Sequence, residues 1–201
     1  MMALMAAWGQ TTPPENFRFF PQPVEIPERG EVISYVLLLG TNRFSFLPPP
    51  NWQLKYEAAE RKAVLIPRDL AASMTLKIVL TNQPGAEPLA PEPLRLRVLE
   101  SLPQARIIHE FPCYTSARKG LAFDLEQVAA NRTKLVTRQA YVPFSAGLIE
   151  FSLTTPASRF PKFKSAFSSL LTSFRIELSN PRNAGNSPGP PSSPQTPEEE
   201  P

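Results

Sequence analysis

Residues 147–174 read GLIEFSLTTPASRFPKFKSAFSSLLTSF and carry two hydrophobic periods in succession. Up to residue 154 the apolar side chains occupy every second position, which is the period of a half-buried β-strand. From Phe160 to Phe174 they recur at spacings of three and four, which is the period of an amphipathic α-helix. Ser158 is the expected N-cap, and Pro161 is tolerated in the first turn. The stretch predicts a sheet with a helix packed on it.

Other segments repeat the strand pattern. Residues 74–80 and 121–126 alternate between apolar and polar side chains, and in the second segment Asp124 and Glu126 are expected on the solvent face. Residues 31–39 form an aliphatic, β-branched run that ends at a Gly40-Thr41-Asn42 turn. Short connections between such segments favour antiparallel neighbours.

A second helix is predicted at residues 91–102. Leu94, Val98 and Leu102 step by four, although residues 94–98 also alternate as a strand would. The leading prolines and Glu92 favour a helix start. Strands, a helix, more antiparallel strands and a closing helix together predict the α+β class.

The two ends of the chain differ from the middle. Residues 1–9 are almost wholly apolar, and small residues at Ala7 and Gly9 fit a signal-peptide cleavage site, so we expect a signal-peptide remnant there. Residues 10–30 are polar and proline-rich, as in a linker or extended arm. We expect the folded domain over residues 31–179. Residues 180–201, rich in Pro, Ser and Glu, carry too little apolar surface to fold and are expected to be disordered.

Composition excludes several classes of function. The net charge is +3, with no basic run or RNA-binding signature, so no nucleic-acid partner is expected. No stretch approaches the roughly 20 apolar residues of a membrane-spanning helix. With a single cysteine and a single histidine, the chain can form neither an intramolecular disulfide nor a thiolate zinc site. We therefore expect no metal and no cofactor.

His109 and Cys113 are the residues most suggestive of catalysis. Both are expected on one face of a strand, where four residues separate them by about 13 Å. A nucleophile and its base need hydrogen-bond contact, at about 3 Å. We interpret them as a core-edge histidine and a buried cysteine, and we predict no catalytic residues.

Basic residues give the best candidate for a binding site. Arg132, Lys134 and Arg138 are predicted on one face of a strand, and Arg159 and Lys162, with Lys164, cluster at the start of the last helix. If the two groups adjoin, they form an anion-attracting patch. The alternative is an ordinary solvated surface.

Several packing motifs between residues 40 and 178 resemble those of the PsbP-like superfamily. They comprise Phe44-Ser45-Phe46 with Pro49 and Trp52, residues 137–140 leading to 147–151, and Phe167 with Ser173-Phe174-Arg175. The resemblance implies an α/β/α sandwich, in which a central antiparallel sheet has helices on both faces. It also implies a binding or assembly role without a shared active site, so it transfers no catalytic residue to this chain.

The sequence therefore predicts a non-catalytic, monomeric protein, exported to the periplasm or beyond, that binds an unidentified protein partner. The alternative is a carrier of small ligands or anions with a pocket between sheet and helix. A deep apolar cavity near Trp52, ringed by Arg138 and Lys162, would favour that carrier. A third possibility is an enzyme that uses His109 and Cys113.

Overall fold

The structure is a computed structural model that describes residues 17–80, 90–116 and 118–178. Two α-helices and eleven strands occur in these ranges. The helices are α1 (Pro91–Ser101) and α2 (Phe160–Ser173). The strands are β1 (Phe17–Ile26), β2 (Gly30–Leu39), β3 (Asn42–Phe46), β4 (Trp52–Glu57), β5 (Lys62–Pro67), β6 (Ser73–Leu80), β7 (Arg106–Tyr114), β8 (Lys119–Val128), β9 (Lys134–Phe144), β10 (Gly147–Pro156) and β11 (Arg175–Leu178). The predicted signal-peptide remnant at 1–9 and the predicted tail at 180–201 lie outside the described residues.

The strands form two antiparallel sheets. The larger has the order β4-β5-β6-β10-β9-β8-β7, and the smaller has the order β1-β2-β3-β11. The α+β class is confirmed. The smaller sheet is an addition to the single central sheet that the resemblance implied. In it β1, β2 and β3 pair in sequence order, and β11, after α2, returns to pair with β3 as the fourth strand.

Part of the predicted N-terminal arm belongs to the fold. Phe17–Ile26 is strand β1, which pairs with β2 along its whole length, from Phe17 opposite Leu39 to Ile26 opposite Gly30. The folded region therefore reaches back to Phe17 at least, instead of starting at residue 31. Pro21 and Pro23 are compatible with this strand because it is an edge strand. Residues two apart direct their N–H positions to the same side, so both prolines can leave the missing donors on the free edge.

The main core lies where the small sheet and α2 pack on one face of the large sheet. On β10, the odd-numbered residues from Ile149 to Leu153 are buried in it, as the alternation predicted. Trp52 packs edge-on against Phe163 of α2, with the ring centroids 5.7 Å apart. The fully buried phenylalanines of this core are Phe44, Phe46, Phe151, Phe167 and Phe174.

Helix α1 has its own apolar cluster, formed by alternate residues of the same large sheet. Leu94 and Val98 pack with Phe123, Leu125 and Tyr141. Two arginines of α1 fix the helix to the strands. Nε of Arg95 donates to Glu110 of β7, and Nε of Arg97 donates to Glu150 of β10, each at 2.6 Å.

Helix α2 begins as its periodicity predicted, but the expected cap is absent. Ala157–Arg159 form a 3₁₀ turn, so Arg159 takes the N-cap position and makes no side-chain capping hydrogen bond. The prediction of Ser158 as N-cap is wrong, because the chain already turns at that residue. Neither described helix is long and apolar enough to cross a membrane.

Candidate functional site

The residues that suggested catalysis are not arranged for it. Cys113 is buried at 7% exposure, and burial raises the pKa of its thiol to about 11. At neutral pH it is therefore a protonated thiol without nucleophilic character. The His109 side chain is 69% exposed, so the expectation of a core-edge histidine is wrong. Its Nδ1 lies 3.8 Å from Oδ2 of Asp124.

No group of three or more histidine, cysteine or acidic side chains in the described ranges could hold a metal ion. Most acidic side chains of these ranges instead form ion pairs with arginine or lysine. Glu57, for example, accepts a hydrogen bond from Lys62, which holds the pKa of this carboxyl below its ordinary value. The pKa of Lys62 is raised in turn by its contacts with Glu57 and Glu60.

The first group of predicted patch residues divides between a turn and the core. Arg132 lies in the turn before β9 with φ of 64°, and Lys134 is the first residue of that strand. Lys134 and Arg138 share a face of β9, since they are four residues apart. Lys134 is exposed, whereas Arg138 is only 7% exposed. The three residues therefore differ in exposure: Arg132 and Lys134 are open to solvent, whereas Arg138 is largely covered.

The second group binds a carboxylate from the same chain. Arg159 and Lys162, at the start of α2, lie 3.3 and 3.1 Å from Oδ2 of Asp69. The hydrogen bond from Lys162 and a second one from the backbone N–H of Ala71 lower the pKa of the Asp69 carboxyl. An internal anion therefore already occupies this part of the predicted patch.

Arg138 forms a buried ion pair with Asp124 of the neighbouring strand. Its Nε and Nη2 donate to the two carboxylate oxygens at 2.6 and 2.8 Å. Cζ of Arg138 lies 4.7 Å from the ring centroid of Phe111 and 5.1 Å from that of Phe160, so two aromatic faces contact the guanidinium. Asp124 is 5% exposed, and its predicted place on the solvent face is wrong.

An open cleft of about 620 Å³ lies over this ion pair, between β7–β9 and the first turns of α2. Its lining residues include His109, Phe111, Arg138, Phe160 and Lys164. Of the basic residues predicted on the last helix, Lys164 is the one that joins Arg138 here. This cleft is not the cavity near Trp52 that would have favoured a carrier, and Trp52 packs on Phe163 instead.

A second surface lies on the outer side of α1. Leu96 is 63% exposed and Leu99 is 39% exposed, one helical turn apart. Beside them, a groove of about 450 Å³ separates α1 from the large sheet. Its polar lining includes Thr75, Lys77, Arg97, Glu100, Ser101, Gln139, Tyr141, Glu150 and Ser152. Hydroxyls of Thr75 and Ser152, 2.7 Å apart, form part of its floor.

Neither this surface nor the role of Asp124 was predicted from the sequence. A signal for the surface was present: besides its prolines, α1 carries four apolar residues, and two of them, Leu96 and Leu99, lie outside the series that steps by four. A helix that packs on a sheet along one face needs apolar residues on that face only, so further apolar residues indicate a second contact surface. Asp124 gave no such signal, because one polar residue in an alternating strand is typical of a solvent face.

No protein-family model matches the chain, and no curated protein sequence matches it either. Among solved structures, the chain is similar to PsbP (CyanoP) of Synechocystis sp. PCC 6803, with a TM-score of 0.53 and 13% identity over 88% of this chain and 99% of that one. It also aligns with LpqN of Mycobacterium tuberculosis, described as involved in cell envelope biogenesis, with a TM-score of 0.49 and 14% identity over 79% of this chain and 91% of LpqN. At such identities the likeness concerns the fold alone.

Proposed function

Starting from a PsbP-like fold, we propose that this chain is a non-catalytic, exported binding protein that holds a protein partner on the outer side of α1. The described residues support binding more than catalysis. The Cys113 thiol is buried and protonated. The carboxylates of Glu150 and Asp124 form ion pairs with arginines.

The exposure of Leu96 and Leu99 carries the proposal. Single exposed apolar residues are ordinary, but two on adjacent turns form a continuous apolar ridge. Glu100, one helical turn after Leu96, lines the polar groove together with Arg97. Apolar anchors surrounded by a polar rim are the usual composition of a protein–protein interface. Leu96 and Leu99 are therefore the anchors of this proposal.

We further infer that the two helices cover opposite faces of the large sheet, as in the α/β/α sandwich that the resemblance implies. Their apolar residues belong to different clusters, to which alternate residues of β8–β10 contribute. In this arrangement α1 is the outer layer on its side of the sheet. The chain acts as a monomer that presents α1 to a different protein, without nucleic acid as a partner.

Photocrosslinking in the cells that produce the protein tests the proposal. A photoreactive phenylalanine derivative replaces Leu96, and in a matched control it replaces Tyr114, which is 59% exposed on β7. We expect one discrete adduct from position 96 and none from position 114. Leu99→Glu removes the adduct because it places a charge in the centre of the apolar ridge. The melting temperature of Leu99→Glu is measured to show that the fold is retained.

Equal adducts from positions 96 and 114, or an adduct that persists in Leu99→Glu, would contradict the proposal. An adduct with twice the mass of the chain would replace the heterologous partner with a second copy of this protein.

A further inference from the structure

The guanidinium of Arg138 has donors left over at the cleft beside α2. Nε and Nη2 donate to Asp124, whereas Nη1 has no hydrogen-bond acceptor among the described residues. Arg138 is only 7% exposed, and it lines the cleft. Among the described residues, the buried side-chain polar atom without a partner is the hydroxyl of Tyr56, so Nη1 of Arg138 is reached by solvent from the cleft. It can therefore donate to an oxygen acceptor of a ligand there.

The charges around the cleft favour an anion. Asp124 is paired with Arg138, and Glu110, the other acidic residue of the lining, is paired with Arg95 at 2.6 Å. Within the described ranges, no carboxylate lies within 4 Å of the ammonium of Lys164, which also lines the cleft. Once the ion pairs are counted as neutral, the cleft retains one positive charge.

The walls of the cleft favour a ligand with an apolar body. Phe111 and Phe160 contribute half-buried rings next to the Arg138 guanidinium. The volume of about 620 Å³ lies within the range of small-molecule sites. Apolar walls with a few polar groups at one place are the usual composition of such a site.

We propose that this cleft binds an apolar monocarboxylate. The ligand's carboxylate accepts hydrogen bonds from Nη1 of Arg138 and from the Lys164 ammonium, and its hydrocarbon part packs on Phe111 and Phe160. A ligand in this cleft agrees with the alternative carrier function, at a place other than the cavity near Trp52 that would have favoured it. It is independent of the proposed partner on α1, because the two sites share no residue.

Calorimetric titration with octanoate tests the proposal. The control ligands are 1-octanol, which has the hydrocarbon chain without a carboxylate, and acetate, which has the carboxylate without a long chain. We expect octanoate to bind at least about tenfold more tightly than either, since both a charged hydrogen bond and apolar contact are needed. Lys164→Ala weakens octanoate about tenfold, the loss of one charge-assisted hydrogen bond. The matched control is Lys162→Ala on the same helix, where the ammonium binds Asp69, and it leaves the affinity unchanged.

The arginine side-chain N–H signals in an NMR titration provide a second measurement that requires no substitution. Octanoate shifts the Arg138 signals, and acetate at the same concentration shifts them less. Absence of both heat and Arg138 shifts would overturn the proposal. It would equally be overturned if octanol bound as well as octanoate, or if Lys162→Ala and Lys164→Ala reduced the affinity equally.

Discussion

Asp124 and Arg138 are two charged residues that are both buried and that form an ion pair with each other. They are directly opposite each other on β8 and β9, and both are less than a tenth exposed. A buried ion pair gains little over an apolar pair of the same shape, but removing one partner leaves an uncompensated charge in the interior. The bidentate contact and the two phenylalanine rings around Arg138 hold the pair in one geometry.

Asp124→Asn is therefore expected to destabilise the protein by about 3–5 kcal/mol, since Arg138 keeps its charge and loses its counterion. Urea unfolding of purified protein measures the difference. The matched control is Asp69→Asn, which removes a carboxylate from two cations at the surface, where solvent screens the charges, so a much smaller loss of stability is expected. If the two substitutions had equal effects, the Asp124–Arg138 pair would be solvated and not part of the interior.

At the scale of elements, β1 shows how an edge strand differs from a linker. Its residues alternate between half-buried and exposed positions, and Phe19 stacks on Tyr35 of β2 and Tyr56 of β4, with ring centroids 5.4 and 4.4 Å apart. Burial also raises the pKa of Tyr56 to about 12. The contact with Tyr56 joins the small sheet to the edge strand of the large one.

Phe19→Ala is expected to destabilise the protein by about 2–3 kcal/mol, somewhat below the value for a fully buried phenylalanine because Phe19 is half-buried. Arg18→Ala, at the neighbouring exposed position of the same strand, changes the stability by less than about 0.5 kcal/mol. Chemical denaturation of both variants provides the measurement. Equal, negligible effects would mean that residues 17–26 behave as the flexible arm that the prolines first suggested.

At the scale of the whole molecule, the last elements of the fold pack against elements from its first half. After α2, β11 pairs with β3, and the hydroxyl of Ser116, after β7, donates to the carbonyl of Phe174 at 2.8 Å. Asp69, next to β5, binds the start of α2 across about ninety residues of sequence. These contacts tie α2 to both sheets, so stability is shared between distant parts of the chain.

The proposed export of the protein is tested by determining the N-terminus of the mature chain. If Met1–Gly9 is a signal-peptide remnant, the mature chain begins near Gln10, because Ala7 and Gly9 supply the small residues before a cleavage site. Intact mass after cell fractionation measures both the start and the compartment. A chain that retains Met1 and fractionates with the cytosol would exclude the exported form of the proposed function and leave the α1 surface as an intracellular one.

The sequence by itself determined the type of several helices and strands and which side of each is buried. The spacing of apolar residues predicted α1, α2, the alternating strands β6, β8 and β10, and from their order the α+β class, because hydrophobic periodicity records which side of an element is buried. It also predicted that Cys113 is buried. Such properties depend on residues close together in sequence.

Only the tertiary structure decided which charges are free. Arg138 forms a buried ion pair with Asp124, and Asp69 binds both Arg159 and Lys162. Of the basic residues predicted at the start of α2, Lys164 is the one that lines the cleft together with Arg138. Pairing of β1 and β11 into a second sheet was likewise decided at this level. The physical reason is the same in each case: an ion pair or strand pair depends on a partner distant in sequence, and local periodicity carries no information about that partner.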